Sequence, residues 1–110
     1  RCPDPAANPY LVLAVCLEAG LDGIRNQITP PDAVTENVFE MQLQQRAKLG
    51  IESLPGDLEQ AVEELEKDDY IKNVLGGHIT EKYLEAKKAE WADYRAQVTE
   101  WEIEKYLYKI

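Results

Sequence analysis

The sequence has few of the side chains that most often carry catalysis or bind transition metals. It contains one histidine, His78, and two cysteines, Cys2 and Cys16, in 110 residues. A zinc site or an activated nucleophile needs a second ligand or an acid partner at recognisable spacing, so we expect His78 to be structural. The cysteines lack CxxC spacing and are too few for a disulfide scaffold, so we expect both to be reduced and structural, as in a cytoplasmic protein. The sequence predicts no metal site.

Basic residues are also scarce. Twelve Lys and Arg face 21 Asp and Glu, which gives a formal net charge of −9. A chain of this charge is repelled by phosphate backbones and by anionic lipid, so we expect no nucleic-acid partner. The acidic pairs Glu63-Glu64 and Asp68-Asp69 lack the interspersed oxygen ligands and the glycine of a calcium loop, which indicates solvated helix faces.

Long apolar runs are absent as well, so we predict no membrane span. With 45% hydrophobic residues over 110 positions, the chain has the composition of one globular domain. It shows neither an initiator methionine nor a leader segment, and we therefore expect Arg1 to mark a cut in a longer chain.

A helix with no polar face is predicted from Pro9 to about Leu21. Asn8 followed by Pro9 is a helix-start signal, and Gly20 and Gly23 are expected to loosen and end the helix. Its apolar residues go round the whole helical wheel. Such a helix must be covered on nearly every side, and a chain of this length supplies only part of that cover.

The rest of the sequence also reads as helical. After an irregular loop over residues 25–37, Val38, Phe39 and Met41 are expected to tuck in. Helical spacing returns briefly from Leu43 to Leu49, and residues 51–54 look extended. We therefore expect an all-α fold with little or no strand: one irregular helical array over residues 1–110.

Three further helices are predicted before the carboxy-terminal segment. Asp57 with Gln60 resembles a capping box for the first, Asp68 can cap the second, and the third runs from Ile79 to about Gln97. The Gly76-Gly77 pair is expected to stop the second helix. The third should carry one apolar stripe, made of these residues: Ile79, Tyr83, Leu84, Trp91, Tyr94 and Val98.

A terminal docking helix is predicted over residues 99–110, which we call the tail. Thr99 and Glu102 form the Thr-x-x-Glu pattern of a reciprocal N-terminal cap. A segment so rich in aromatic and aliphatic residues, at a position where fraying is expected, is typical of a docking element. The residues expected to contact a partner are Trp101, Ile103, Tyr106, Leu107 and Ile110.

Three stretches of the sequence follow one another in a telling order: RCPDPAANPYLVLAVCLEAGLDGI, GIESLPGDLEQAVEELEKD and LGGHITEKYLEAKKAEWADYRAQVTEWEIEKYL. In this order they resemble the carboxy-terminal part of bacterial type I glutamine synthetases. The motif RxPDPxANPYL is specific, and the resemblance covers essentially all 110 residues.

The resemblance implies a ligase that joins ammonia to glutamate with ATP and Mg or Mn, through γ-glutamyl phosphate. It implies that Arg1 binds the glutamate substrate, and that the metal-binding residues lie upstream of this sequence. It also implies a homo-oligomer, a double-ringed dodecamer in which the tail reaches a subunit of the facing ring. On this reading the chain has no cofactor and no activity by itself. The alternative is a free-standing acidic helical module that binds another protein through the tail.

Overall fold

In the computed structural model, residues 3–107 are described, and every regular element among them is helical. The absence of strand in this range confirms the predicted all-α class. The elements are α1 (Pro9–Arg25), α2 (Leu43–Lys48), α3 (Leu58–Lys67), α4 (Asp69–Leu75), α5 (Gly77–Arg95) and α6 (Glu100–Glu102), which continues as a π-helical turn, Ile103–Leu107.

Helix α1 begins as predicted and ends later than predicted. The Asn8 side-chain oxygen accepts the backbone N–H groups of Tyr10 and Leu11 at 3.0 and 3.3 Å. The helix continues past Leu21 to Arg25, so the expectation that glycines end it was wrong. A helical glycine costs only about 1 kcal/mol relative to alanine, and contacts such as the ion pair of Arg25 with Glu18, at 3.1 Å, favour continuation.

The connection between α1 and α3 packs mainly on itself. Met41 is buried as predicted, and Val38 is half-buried beneath the Arg46 side chain, whose Nη2 donates to the Val38 carbonyl at 2.8 Å. Phe39 is 79% exposed, so its predicted burial was wrong. Helix α2 ends at Lys48, and Gly50, just beyond it, has a φ of +65°, in the left-handed region that favours glycine.

Helices α3, α4 and α5 form a connected group. The Asp57 carboxylate accepts the Gln60 N–H at 2.9 Å and Asp68 accepts the Ile71 N–H at 3.0 Å, which confirms both predicted caps. A sharp corner at Gly76, with φ +79°, separates α4 from α5. Across this corner the Thr80 hydroxyl donates to the Lys72 carbonyl at 3.2 Å.

The predicted apolar stripe of the longest helix is only partly covered. Helix α5 starts at Gly77 and ends at Arg95, two residues before the expected Gln97. Of the six stripe residues, Leu84 and Trp91 are half-buried and the other four are exposed. The predicted stripe is therefore covered only at Leu84 and Trp91, and Val98 lies beyond the end of the helix.

The chain exposes far more surface than a globule of its size. Its radius of gyration is 18.5 Å, whereas a compact domain of this length has about 13 Å. The accessible surface is 9865 Å², against roughly 6,200 Å² expected for a folded monomer of this mass. Among the described residues only Met41, Val62 and Thr80 are buried. The predicted burial of α1 on nearly every side is therefore not met by residues 3–107.

Candidate functional site

The outward side of α1 carries a bare apolar stripe, which we call the outer stripe. It consists of Tyr10, Leu13, Leu17 and Ile24, which are between 63 and 83% exposed. Their separations of three, four and seven residues place them on one side of a helix. Large apolar side chains grouped in this way are typical of a surface that another protein segment covers.

The opposite side of α1 faces the other helices across an apolar groove, which we call the inner groove. Helix α1 packs on α4, which in turn packs on α3 and α5. The groove between them has a volume of about 260 Å³. Helices α1, α3, α4 and α5 and the turn before α1 line the groove. The lining residues are Ala7, Asn8, Leu11, Val12, Val15, Cys16, Leu65, Ile71, Leu75 and Tyr83. Helix α1 is thus apolar on two sides.

One side-chain hydrogen bond joins α4 to α1 beside this groove. The Tyr70 hydroxyl donates to the Glu18 backbone carbonyl at 3.0 Å. Partial desolvation raises the pKa of Tyr70, and the nearby carboxylates of Asp22 and Glu18 raise it further, while Arg25 opposes them. The neutral phenol is the hydrogen-bond donor, and this bond joins the inner side of α1 to α4.

Helices α3 and α5 are joined differently, by ion pairs across a more polar groove. Lys88 pairs with Glu66, and Arg95 pairs with Glu59 at 3.7 Å. Both pairs lie at the protein surface, so each contributes little to stability. The buried indole N–H of Trp91, which lines the same groove, has no hydrogen-bond partner. The charges here pair with each other and do not converge on a common point.

The tail starts as a preformed helical turn. The Thr99 hydroxyl accepts the Glu102 N–H at 3.2 Å, and the Glu102 carboxylate accepts the Thr99 N–H at 2.8 Å, which confirms the predicted reciprocal cap. These hydrogen bonds lower the pKa of Glu102, the backbone bond having the larger effect. The Trp101 and Tyr106 rings meet edge to face with centroids 5.9 Å apart.

The tail residues predicted to contact a partner are exposed where the structure describes them. Trp101, Ile103, Tyr106 and Leu107 are between 37 and 67% exposed. No Cα atom of α1–α5 lies within 8 Å of α6 or of the π-helical turn. None of the helices α1–α5 therefore covers the tail.

Two of the predicted site residues, Arg1 and Ile110, lie outside the described residues. His78 is exposed in the first turn of α5, as expected. Between residues 3 and 107, no group of three His, Cys, Asp or Glu side chains could hold a metal ion. Cys16 is a free thiol that is exposed beside the inner groove, and its structural role stays a prediction.

The inner groove is the feature that sequence reasoning missed. The apolar periodicity of α1 indicated that every side needed cover, but it could not distinguish the side that α4 reaches from the side left bare. The signal lay in the combined patterns of α1, α4 and α5, which define a groove only once their packing is known.

The expectation of no membrane span was tested separately. No helix in the described range is long and apolar enough to cross a bilayer.

Comparison with known proteins gives one consistent result. Residues 1–106 match the family described as glutamine synthetase, catalytic domain. A glutamine synthetase of Thermotoga maritima is 53% identical over 108 residues, which cover 98% of this chain and 25% of the relative. A glutamine synthetase of Methanocaldococcus jannaschii is 50% identical over 107 residues, which cover 97% of this chain and 24% of the relative. The chain thus spans about a quarter of the length of the curated relatives it matches.

Proposed function

The chain belongs to the glutamine synthetase family, and we propose that it is the carboxy-terminal helical part of a type I enzyme of that family. Such an enzyme joins ammonia to glutamate with ATP, and we propose a cytoplasmic dodecamer. These residues would supply a helical scaffold, the tail that contacts another subunit, and one substrate-binding arginine. Bacterial and archaeal relatives both match, so the assignment to type I rests on the motif RxPDPxANPYL.

The outer stripe is the observation that carries this proposal. Four large apolar side chains on one side of α1 are exposed to water, although the opposite side of the same helix already packs on α4. A helix that is apolar on two sides needs a second neighbour. Since the relatives are about four times as long as this chain, we propose that the remainder of such an enzyme covers the outer stripe.

ATP and Mg²⁺ or Mn²⁺ would be the cofactors of the complete enzyme. The described residues do not fit a divalent cation, because no suitable group of ligands converges between residues 3 and 107. We assign no cofactor and no metal-dependent step to this chain, and we expect it to be inactive alone.

We propose that Arg1 binds the substrate glutamate. A guanidinium presents a planar fork of donors that suits a carboxylate, and Arg1 opens the RxPD motif. Its contribution to catalysis would depend on the rest of the enzyme, which holds the reacting groups.

The alternative is the free-standing acidic interaction module. The exposed aromatic tail favours it as much as it favours the enzyme part. The outer stripe does not, because a self-sufficient module has no need of a second bare apolar surface.

A chimaera tests the proposal. The matching quarter of the Thermotoga maritima enzyme is replaced by this chain, and γ-glutamyl hydroxamate formation is measured beside the same enzyme truncated before that segment. We expect activity in the chimaera and none in the truncated enzyme. In the chimaera, Arg1→Gln should raise the KM for glutamate.

Variants of the outer stripe test its role in assembly. The double change Leu13→Asp with Leu17→Asp places charge on the stripe and should abolish assembly and activity, whereas Leu13→Met should preserve assembly. Turnover by the isolated chain, or full activity of the double Asp variant, would refute the proposal.

A further inference from the structure

The turn before α1 is closed by both the backbone and the side chain of Asp4. The Asp4 backbone carbonyl accepts the Ala7 N–H at 2.9 Å, and the side-chain Oδ1 accepts the Ala6 N–H at 2.8 Å. Aspartate at the first position of a turn and proline at the second are preferred, because the carboxylate bonds the backbone two residues on and Pro5 has a fixed φ. The turn is therefore specified locally by the sequence.

The chain between this turn and α1 is held at each residue. Ala6 and Ala7 are bonded to Asp4, as described above. Asn8 follows directly, and its side-chain oxygen accepts two backbone N–H groups of the first helical turn. Pro9, whose φ is also fixed, is the first residue of α1. The turn and the helix thus form one continuous unit.

This unit is anchored to the other helices. Ala7 is half-buried and lines the inner groove together with residues of α3, α4 and α5. Further along α1, the Glu18 backbone carbonyl accepts the Tyr70 hydroxyl of α4 at 3.0 Å. The turn therefore has a defined position relative to α4 and α5.

Arg1 is attached to this anchored unit by a very short connection. Only Cys2 and Pro3 separate Arg1 from Asp4, so the Cα atoms of Arg1 and Asp4 are at most about 11 Å apart. A side chain that binds a substrate must be held to within roughly 0.5 Å by groups that do not themselves touch the substrate. The Asp4 turn is the first hydrogen-bonded turn in the described part of the chain, and it lies where such support is needed.

We propose that Asp4 is a positioning residue for the binding of glutamate. The turn that Asp4 closes fixes the direction in which the chain leaves α1, and in this way it sets where Arg1 is held. Asp4 acts through its acceptor oxygen and not through its charge, because that oxygen is used within the turn. This inference rests on the proposed function, in which Arg1 binds glutamate, and it adds the residue that orients the arginine.

Kinetics of the active chimaera test the proposal. Asp4→Ala removes the side-chain acceptor and should raise the KM for glutamate about three- to tenfold, which is the range that the loss of one hydrogen bond allows. The KM for ATP and the size of the assembled enzyme should not change, because the cap of α1 stays in place. Asp4→Asn and Asp4→Ser retain an acceptor that can close the turn and should restore the KM for glutamate. If Asp4→Asn behaves like Asp4→Ala, the charge matters and the proposal is overturned.

A double-mutant cycle separates positioning from a general loss of structure. Arg1→Gln alone should raise the KM for glutamate. The addition of Asp4→Ala to Arg1→Gln should raise it little further, because residues that act as one unit have non-additive effects. A rise by the same factor in both backgrounds would show that Asp4 does not act through Arg1, and it would overturn the proposal.

Asp57→Ala is the matched control. Asp57 makes the same kind of bond, since its carboxylate accepts the Gln60 N–H at 2.9 Å, but it belongs to α3. This variant should lose the same kind of local stabilisation and leave the KM for glutamate unchanged. Equal rises of that KM in Asp57→Ala and Asp4→Ala would mean that the KM follows stability, against the proposal. If Arg1→Gln leaves the KM unchanged, the role of Arg1 in the proposed function fails. If Arg1→Gln raises it and Asp4→Ala does not, only the positioning role of Asp4 fails.

Amide hydrogen exchange in the isolated 110-residue chain gives a readout that needs no activity. The Ala6 amide should exchange about three- to tenfold faster in Asp4→Ala than in the unmodified chain, because it loses its acceptor. Asp4→Asn should exchange at nearly the original rate, and Asp57→Ala should leave the Ala6 amide unaffected. Equal exchange rates in Asp4→Ala and the unmodified chain would show that Asp4 does not hold the turn, and the positioning role would be refuted.

Discussion

Helices α3 and α1 both pack on α4, but their remaining sides differ. Helix α3 also packs on α5, and beside that contact it presents glutamates such as Glu59 and Glu63, which are exposed. The far side of α1 carries the outer stripe, which is apolar and equally exposed. Helix α3 has an apolar side that packs on its neighbours and a polar side that faces water. Helix α1 is apolar on two sides, and the described chain supplies a neighbour for only one of them. A helix can therefore be complete in its own chain or depend on another segment, and its polar face distinguishes the two cases.

The sharpest test of this difference introduces the same charge into both helices. Val62→Asp places an unpaired carboxylate in the buried side of α3 and should lower the free energy of unfolding by about 3 kcal/mol or more. Leu13→Asp places it on the outer stripe, where water solvates it, and should change that free energy by about 0.5 kcal/mol. Urea denaturation followed by circular dichroism measures both values.

The two variants also differ in association. Leu13→Asp should reduce any self-association that depends on the outer stripe, while Leu13→Met should leave it largely as it is. If Leu13→Asp unfolds the isolated chain as strongly as Val62→Asp does, the outer stripe is covered within the chain and the comparison is wrong.

A smaller effect is expected where α1 and α3 are alike. Each begins at a side-chain cap, Asn8 for α1 and Asp57 for α3. Replacing either cap with alanine should cost about 1 kcal/mol, because a backbone N–H group at the helix start loses its acceptor. Hydrogen exchange at the first-turn amides measures each loss locally. If Asn8→Ala changed the free energy of unfolding by almost nothing, α1 would be held by its packing alone. The two helices would then differ at their starts as well as along their sides.

The smallest effect concerns the bond that holds α1 to α4. The pKa of Tyr70 is raised in the folded protein, so the bond contributes its full stability below the ordinary tyrosine pKa. The contribution is lost as the pH rises through the raised value. The difference in urea midpoint between the unmodified chain and Tyr70→Phe should thus be constant up to about pH 9. It should disappear as the pH rises above about 10. A difference that persists at higher pH would show that the hydroxyl does not hold α1.

Local features of this fold could be predicted from the sequence. The caps at Asn8, Asp57, Asp68 and Thr99 were all predicted correctly, because each depends on a side chain and a backbone group two or three residues apart. The corner at Gly76 is of the same kind, since a positive φ there suits glycine.

Burial could not be predicted in the same way, because it depends on what lies across from each residue. Phe39 and Tyr94 have aromatic side chains that favour burial, yet they are 79 and 68% exposed. The inner groove escaped prediction for the same reason. The role of Arg1 rests on resemblance alone, because a guanidinium at the start of a sequence has no local signature of its ligand.

The large accessible surface has a consequence for how this chain melts. Unfolding would expose only roughly 8,000 Å² more, compared with about 12,000 Å² for a compact chain of the same mass. The heat-capacity increment and the denaturant slope both scale with that newly hydrated area. Both should therefore be about two-thirds of the usual values, and the isolated chain should lose its helices over a broad range of temperature rather than in one sharp step.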